Sequence, residues 1–151
     1  MQNSRPIRIL IADDDADDRI LIADAFEEAR LSNPVDFVED GIELLEYLRH
    51  EGKYSDLPAG THPGLILLDL NMPRMDGRTA LEQIRADKEL RRIPIVVLTT
   101  SKSEEDILKT YNLGVNSFIT KPVTFEGLCE IVQILSRYWI EIVVLPNEAE
   151  E

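Results

Sequence analysis

The sequence predicts an α/β fold in which helices cover both faces of a mainly parallel sheet, and three observations predict it. Short apolar runs bounded by turn residues, such as LILL at 65–68 and PIVVLTT at 94–100, are typical of strands buried on both faces. Segments with helical periodicity separate these runs. Strand and helix alternate about five times, which favours right-handed crossovers between parallel strands.

The individual elements follow from the same patterns. We predict strands at 8–12, 35–38, 65–68, 94–100 and 116–120, the second and fifth having the weaker patterns. We predict helices at 20–29, 42–49, 78–86, 104–112 and 125 to about 139. Thr124 is a suitable N-cap for the last helix, and Gly114 can end the helix before it.

Two segments depart from this alternation. The stretch 50–64 is long for a helix-to-strand connection and rich in Gly, Pro and polar residues, so we expect an exposed loop. After the last helix, WIEIVVLP at 139–146 is extended and apolar in pattern, and another surface usually covers such a segment. We therefore predict an N-terminal tail over 1–7, one domain over 8–139, and a C-terminal extension with an acidic tail over 140–151.

Composition and charge narrow the functional class. The 151 residues are 44% hydrophobic and 30% charged, as in a folded soluble domain. The net charge of −13 argues against a nucleic-acid surface and favours cations and basic partner surfaces. No apolar run approaches the roughly 20 residues of a membrane span, and the N-terminus lacks the apolar core of a secretory signal. We expect a cytoplasmic protein without a membrane or nucleic-acid partner.

Polar residues follow the predicted strands at the points where ligands bind in parallel α/β sheets. Asp13 and Asp14 follow the first strand, Asp69 the third, Thr99 the fourth and Lys121 the fifth. Because the carboxyl ends of parallel strands share one edge, we expect these side chains to converge. The neighbouring acids are assigned instead to the start of the next helix, whose dipole they complement: Asp15, Asp17 and Asp18.

The chemistry of this set points to phosphoryl transfer. Three carboxylates can bind a hard divalent cation such as Mg²⁺. A lysine and a threonine hydroxyl at the same edge can face an anion, and an anion held by a metal, an ammonium and a hydroxyl is most naturally a phosphoryl group. The sequence thus indicates transfer of a phosphoryl group onto an aspartate.

Four motifs carry a resemblance to a known family. They are DD at 13–14, LLDLNMPRMDG at 67–77, VVLTTS at 96–101 and FITKP at 118–122. In this order and spacing they resemble the receiver domain of two-component response regulators. The resemblance implies a doubly wound, flavodoxin-like (βα)5 fold with a five-stranded parallel sheet in the order 2-1-3-4-5.

The resemblance also implies a role for the acids. Asp69 would be the phosphoacceptor and would attack a phosphohistidine on a sensor histidine kinase. The Mg²⁺ ligands would be Asp13, Asp14, Asp69 and the main-chain carbonyl of Asn71.

The remaining site residues would bind the phosphoryl group and respond to it. Lys121 would pair with the phosphoryl oxygens, oriented by a cis peptide before Pro122. Thr99 would move toward the phosphoryl group and donate a hydrogen bond, and Phe118, at the position of the switch aromatic, would rotate inward.

Other functions stay open at this level. A Mg²⁺-dependent phosphatase or phosphotransferase would also use an aspartyl-phosphate, but such enzymes generally need a second carboxylate where this chain has Asn71. An intermediate in a phosphorelay would carry the same motifs. We expect a phosphoacceptor that catalyses only its own phosphorylation and dephosphorylation.

The long 50–64 connection and the terminal YWIEIVVLP most resemble the single-domain regulators that partner phytochrome histidine kinases. That resemblance implies a light-sensing kinase as partner and a homodimer. The residues expected in the dimer interface are Tyr138, Trp139, Ile140, Ile142, Val143 and Val144.

Overall fold

The structure is a computed structural model that describes residues 7–31, 33–58, 62–70, 72–99, 117–120 and 124–137. For Thr99, Ser117, Phe118 and Thr120 it describes the backbone. The predicted helix over 104–112 and the predicted C-terminal extension lie outside these residues.

A parallel sheet of five strands forms the centre of the described fold. The strands are β1 (Ile9–Ala12), β2 (Val35–Val38), β3 (Leu65–Asp69), β4 (Ile95–Thr99) and β5 (Ser117–Thr120). Their order is β2-β1-β3-β4-β5, which is the order that the resemblance implies. All residues of β1 and β3 are buried, as expected of apolar strands covered on both faces.

Helices cover both faces of the sheet. They are α1 (Ala16–Glu28), α2 (Gly41–Arg49), α3 (Gly77–Ala86) and α4 (Phe125–Leu135). Leu10 and Ala12 of β1 belong to the hydrophobic cluster that includes α2 and α3, whereas Ile9 and Ile11 belong to the cluster that includes α1 and α4. The alternation along β1 thus divides the core into two layers, and the predicted α/β class is confirmed.

Several predicted boundaries were displaced. The first helix begins at Ala16, four residues before the prediction, because the Asp15 side chain caps it by accepting hydrogen bonds from the backbone amides of Asp17 and Asp18. The assignment of these three acids to the helix start is therefore confirmed. Asp69 is the last residue of β3, one position inside the strand that the sequence predicts to end at Leu68.

The last helix is also shorter than predicted. It ends at Leu135, and a π-helical turn over 136–137 follows it. Its N-cap is the predicted one, since the Thr124 hydroxyl accepts a hydrogen bond from the amide of Gly127 at 3.0 Å. Among the described helices, none has the length and apolar character needed to cross a bilayer.

The connection after α2 was predicted as an exposed loop, and this was wrong for part of it. Residues Gly52–Tyr54 form a 3-10 helix, and Tyr54 and Leu57 pack against the core on the α2 and α3 side. The Tyr54 ring meets the buried Tyr47 ring edge to face, with 5.1 Å between the centroids. A single aromatic contact leaves no trace in the periodicity or the overall composition of a segment, so the sequence did not predict it.

Candidate functional site

Strand register brings the predicted acids together at the carboxyl edge of the sheet. Ala12 of β1 pairs with Leu68 of β3, so Asp13, directly after β1, and Asp69, the last residue of β3, follow this pair side by side. Asp14 adds a third carboxylate. These three residues form the acidic cluster, in which one carboxylate oxygen from each residue lies within 4.8 Å of the other two.

Burial makes the acidic cluster electrostatically demanding. Asp13 is 0% exposed and Asp69 is 3% exposed, whereas Asp14 lies at the surface. Carboxylates crowded in a buried position repel each other unless a positive charge or several hydrogen-bond donors offset their charge. The acidic cluster offers only oxygen atoms as metal ligands, and such ligands fit a hard divalent cation of the Mg²⁺ or Mn²⁺ type.

The backbone around Asp13 is held by partners from three directions. Its amide donates to the Val38 carbonyl at 3.0 Å, and its carbonyl accepts from Nη1 of Arg19 at 2.8 Å. Its side-chain Oδ1 accepts from the Asp15 amide at 2.9 Å. The same turn that begins α1 therefore fixes the position of one member of the acidic cluster.

The other predicted site residues are placed by backbone register or lie outside the description. Leu98 pairs with Asp69, so Thr99 follows at the same edge, where its backbone pairs with Thr120 of β5. Phe118 lies in β5 opposite Val97. Outside the described residues are Asn71, Lys121, Pro122 and the whole predicted dimer segment from Tyr138 to Val144.

The connection that follows Asp69 makes an ion pair that the sequence does not predict. Arg74, in the connection between β3 and α3, donates from Nε to Oδ2 of Asp40 at 2.8 Å and from Nη2 to Oδ1 at 3.0 Å. Asp40 also caps α2 by accepting from the Glu43 amide at 2.8 Å. Burial opposes ionisation of the Asp40 carboxyl, but these hydrogen bonds and the charge of Arg74 outweigh it and lower its pKa. The sequence gives no signal for this contact of Arg74.

Two glycines allow the β3–α3 connection, residues 70–76, to sit close to its neighbours. The Gly41 amide donates to the Met75 carbonyl at 2.9 Å, and a Cβ atom on Gly41 would lie 2.4 Å from that oxygen. The Gly77 amide donates to the Leu70 carbonyl at 2.9 Å, and a Cβ there would lie 2.7 Å from the Asp69 carbonyl oxygen. The backbone after Asp69 is thus in direct contact with the start of two helices.

Comparison with known proteins identifies the family to which the chain belongs. Residues 9–133 match the family described as the response regulator receiver domain. The chain belongs to this family. It is accordingly a response regulator of two-component signalling, and the acidic cluster lies at the edge where the receiver resemblance placed its site.

Relatives along nearly the full chain support the assignment to the receiver family. Response regulator Rcp1 of Synechocystis sp. is 36% identical over 145 residues, which cover 96% of this chain and 97% of Rcp1. The probable methanogenesis regulatory protein FilR2 of Methanothrix harundinacea is 40% identical over 136 residues, covering 89% of this chain and 84% of FilR2.

Solved receiver structures agree in fold. The phosphorylated cyanobacterial phytochrome response regulator RcpA superposes with a TM-score of 0.79 at 41% identity, covering 89% of this chain and 94% of RcpA. The Mn²⁺-bound form of Rcp1 gives a TM-score of 0.79 at 36% identity, covering 91% of this chain and 96% of the Rcp1 structure.

Proposed function

We propose that this response regulator accepts a phosphoryl group on Asp69 from a sensor histidine kinase, with Mg²⁺ bound at the acidic cluster. The observation that carries the proposal is the convergence of three carboxylates, two of them buried, at the carboxyl edge of a parallel sheet. A crowded set of buried acids is costly without a cation, and a cation beside a carboxylate is what allows an anionic donor to approach.

In the proposed step, an Asp69 carboxylate oxygen attacks the phosphorus of the kinase phosphohistidine. An O–P bond forms, the P–N bond breaks, and the electron pair leaves on the imidazole nitrogen. Asp13, Asp14, Asp69 and the main-chain carbonyl of Asn71 would hold Mg²⁺, which supplies positive charge against the repulsion between nucleophile and donor. Lys121 would pair with the phosphoryl oxygens.

We further propose that Thr99 and Phe118 change position when Asp69 is phosphorylated and so alter the surface of the protein. Their strands are neighbours, and the backbone of Thr99 lies at the same sheet edge as Asp69. The Thr99 hydroxyl would bind the phosphoryl group, and Phe118 would turn into the space that Thr99 leaves. The phosphoryl contacts would then favour one of two packed states.

Acetyl phosphate with Mg²⁺ tests the acceptor directly. We expect the wild-type protein to gain about one phosphoryl group per chain, detected as a mass shift that then decays, and we expect Asp69→Asn to gain none. Asp15→Asn is the matched control, since Asp15 is the neighbouring acid that caps α1 outside the acidic cluster. Labelling of Asp69→Asn, or loss of labelling in Asp15→Asn alone, would contradict the assignment.

We propose that the protein performs no catalysis beyond its own phosphorylation and dephosphorylation. The presence of Asn71 two residues after Asp69 supports this, because aspartyl-phosphate phosphatases generally carry a carboxylate there. Assay with p-nitrophenyl phosphate and Mg²⁺ should show no sustained release of nitrophenol. Continuous turnover that Asp69→Asn abolishes would favour the phosphatase instead.

A phytochrome-type histidine kinase is the partner that we propose. The similarity to Rcp1 and to the phytochrome response regulator RcpA supports it. Phosphotransfer from a panel of autophosphorylated kinases, phytochrome kinases and others, should be fastest from the phytochrome class at short times. A preference for a kinase without a light-sensing module would redirect the assignment of the input and leave Asp69 as acceptor.

We also propose a cytoplasmic homodimer with one receiver domain over 8–139 and a C-terminal segment that contributes to the interface. In α4, Ile134 is 54% exposed, so one apolar residue of the described helix faces solvent four positions before Tyr138. The proposed interface residues are Tyr138, Trp139, Ile140, Ile142, Val143 and Val144. Truncation after Tyr138 should halve the mass seen by light scattering, and an unchanged mass would contradict the dimer contact.

A further inference from the structure

We infer that the ion pair between Asp40 and Arg74 positions the β3–α3 connection, and through it the divalent-metal site. Arg74 is a positioning residue in this inference, because it acts through the backbone that follows Asp69. The inference rests on the proposed function, since it concerns the same metal site.

The geometry of the pair is the first support. Two hydrogen bonds, at 2.8 and 3.0 Å, join the planar guanidinium of Arg74 to both carboxylate oxygens of Asp40. A bidentate fork of this kind fixes orientation as well as distance. Asp40 is itself held, because its side chain is largely buried and caps α2. Arg74 is therefore attached to a rigid helix start.

The backbone of Arg74 is the second support. Its φ of 63° lies in the left-handed region, which is unfavourable for an L-residue other than glycine. Among the described residues, Arg30 and His50 share this feature, but both lie at helix C-termini, where a left-handed residue is usual. Arg74 has no helix end to explain its conformation. Its fork to Asp40 offsets the cost and selects this shape of the connection.

Backbone contacts carry the constraint toward the site. Asp40 holds Arg74, and the next residue of α2, Gly41, donates to the carbonyl of Met75. The connection closes at Gly77, whose amide donates to Leu70, the residue after Asp69. Asn71, the proposed carbonyl ligand, falls within this closed segment in the sequence. Residues that orient ligands from outside the coordination sphere often change metal affinity by about 10–100-fold.

The direction of the effect separates positioning from simple electrostatics. The Arg74 side chain is 56% exposed, so solvent screens its charge. If Arg74 acted only as a charge, its removal would strengthen cation binding at the acidic cluster, because it repels a cation. If Arg74 positions the connection, its removal weakens cation binding. Arg74→Lys keeps the charge and loses the fork, so it isolates the geometric contribution.

The experiment measures Mn²⁺ affinity by calorimetry and hydrogen exchange of the 70–77 segment by mass spectrometry, on the full chain. For Arg74→Gln and Arg74→Lys we expect Mn²⁺ affinity to fall by about tenfold, the lower end of that range. Exchange at 70–77 should rise in both variants without metal, and Asp40→Asn, which keeps a helix cap, should behave alike. Lys53→Gln is the matched control, since Lys53 pairs with Glu43 in the first turn of the same helix at 2.7 Å and is not part of the connection.

The outcomes are distinct. The positioning role is overturned if Arg74→Gln binds Mn²⁺ at least as tightly as Lys53→Gln does and Arg74→Lys binds it as tightly as wild type. The proposed function stands in that case. A wild-type protein that neither binds Mn²⁺ nor accepts a phosphoryl group overturns the proposed function and this inference with it. Thermal unfolding of each variant identifies any loss of affinity that arises from unfolding.

Discussion

The hydroxyl of Tyr54 donates a hydrogen bond to Oε2 of Glu43 at 2.5 Å, joining the connection after α2 to the first turn of that helix. Glu43 is 7% exposed and also accepts from the Glu39 amide at 2.7 Å. Burial opposes ionisation of Glu43, but the hydrogen bonds from Lys53, Tyr54 and the Glu39 amide lower the pKa of its carboxyl. The Glu43 carboxylate therefore binds two residues of the 3-10 helix, Lys53 and Tyr54.

Removing the Glu43 carboxylate should lower the free energy of unfolding more than removing any one of its side-chain partners. We expect Glu43→Ala to lower the free energy of unfolding by about 2–3 kcal/mol, because the amide of Glu39 and the Tyr54 hydroxyl lose a charged acceptor. Tyr54→Phe should cost about 1 kcal/mol. Lys53→Gln should cost under about 1 kcal/mol, because the Lys53 side chain is 67% exposed. Urea denaturation measures all three, and an equal loss in each variant would contradict this ranking.

Divalent metal should stabilise the fold through the acidic cluster. At a Mg²⁺ concentration ten times its Kd, linkage gives about 1.4 kcal/mol, and the melting temperature should rise by roughly 3–6 °C. We expect Asp13→Asn to melt at least as high as wild type without metal, because one carboxylate of the cluster is neutralised, and to respond weakly to Mg²⁺. A full Mg²⁺ response in Asp13→Asn would place the ion elsewhere. Calorimetric scans with EDTA and with Mg²⁺ make the comparison.

Close approach at Gly41 should make that position intolerant of any side chain. A Cβ atom would lie 2.4 Å from the Met75 carbonyl oxygen, which belongs to the backbone and cannot rotate away. We expect Gly41→Ala to cost about 1–3 kcal/mol. It should also slow phosphorylation by acetyl phosphate, because the β3–α3 connection must shift. An alanine variant as stable and as readily phosphorylated as wild type would show that the connection has room to move.

Acid should weaken the fold partly through Asp40 and Glu43. Both carboxyl groups have a pKa lowered in the folded state, so the folded chain binds these protons less readily than the unfolded chain. Their stabilisation is present above the unfolded pKa of about 4 and disappears as the pH falls through the folded values. The double variant Asp40→Asn with Glu43→Gln should show a shallower fall in unfolding free energy from pH 5 to pH 3. Parallel curves for the two proteins would contradict this.

The sequence was sufficient for the sheet and for the acids at its edge. The change from apolar to acidic residues lies one residue beyond the end of β1 and at the last residue of β3, and parallel strands bring their ends together regardless of loop structure. Helix boundaries depend on local capping by side chains, and the sequence predicted these boundaries less accurately. The start of α1 moved to Ala16 because Asp15, read as one of several helix charges, is the cap itself.

The pair between Asp40 and Arg74 could not be predicted from either residue. The partners are 34 positions apart, and no periodic pattern relates them. Their contact depends on a left-handed residue inside a connection, which propensity assigns to Gly, Asn or Asp before Arg. Similarly, Tyr54 lies in a polar segment whose composition indicates exposure, and only the tertiary contact with Tyr47 shows that the segment is anchored.

The pairing of Ala12 with Leu68 means that the spacing between two of the acids derives from main-chain hydrogen bonding. Evolution can lengthen, shorten or replace the surface segments of this protein without altering that separation. Outside the β3–α3 connection, partner choice and ion binding are therefore free to diverge independently, and an engineer who wants a different ion here must change the ligating side chains or that connection, because remodelling the other loops leaves the spacing of Asp13 and Asp69 as it is.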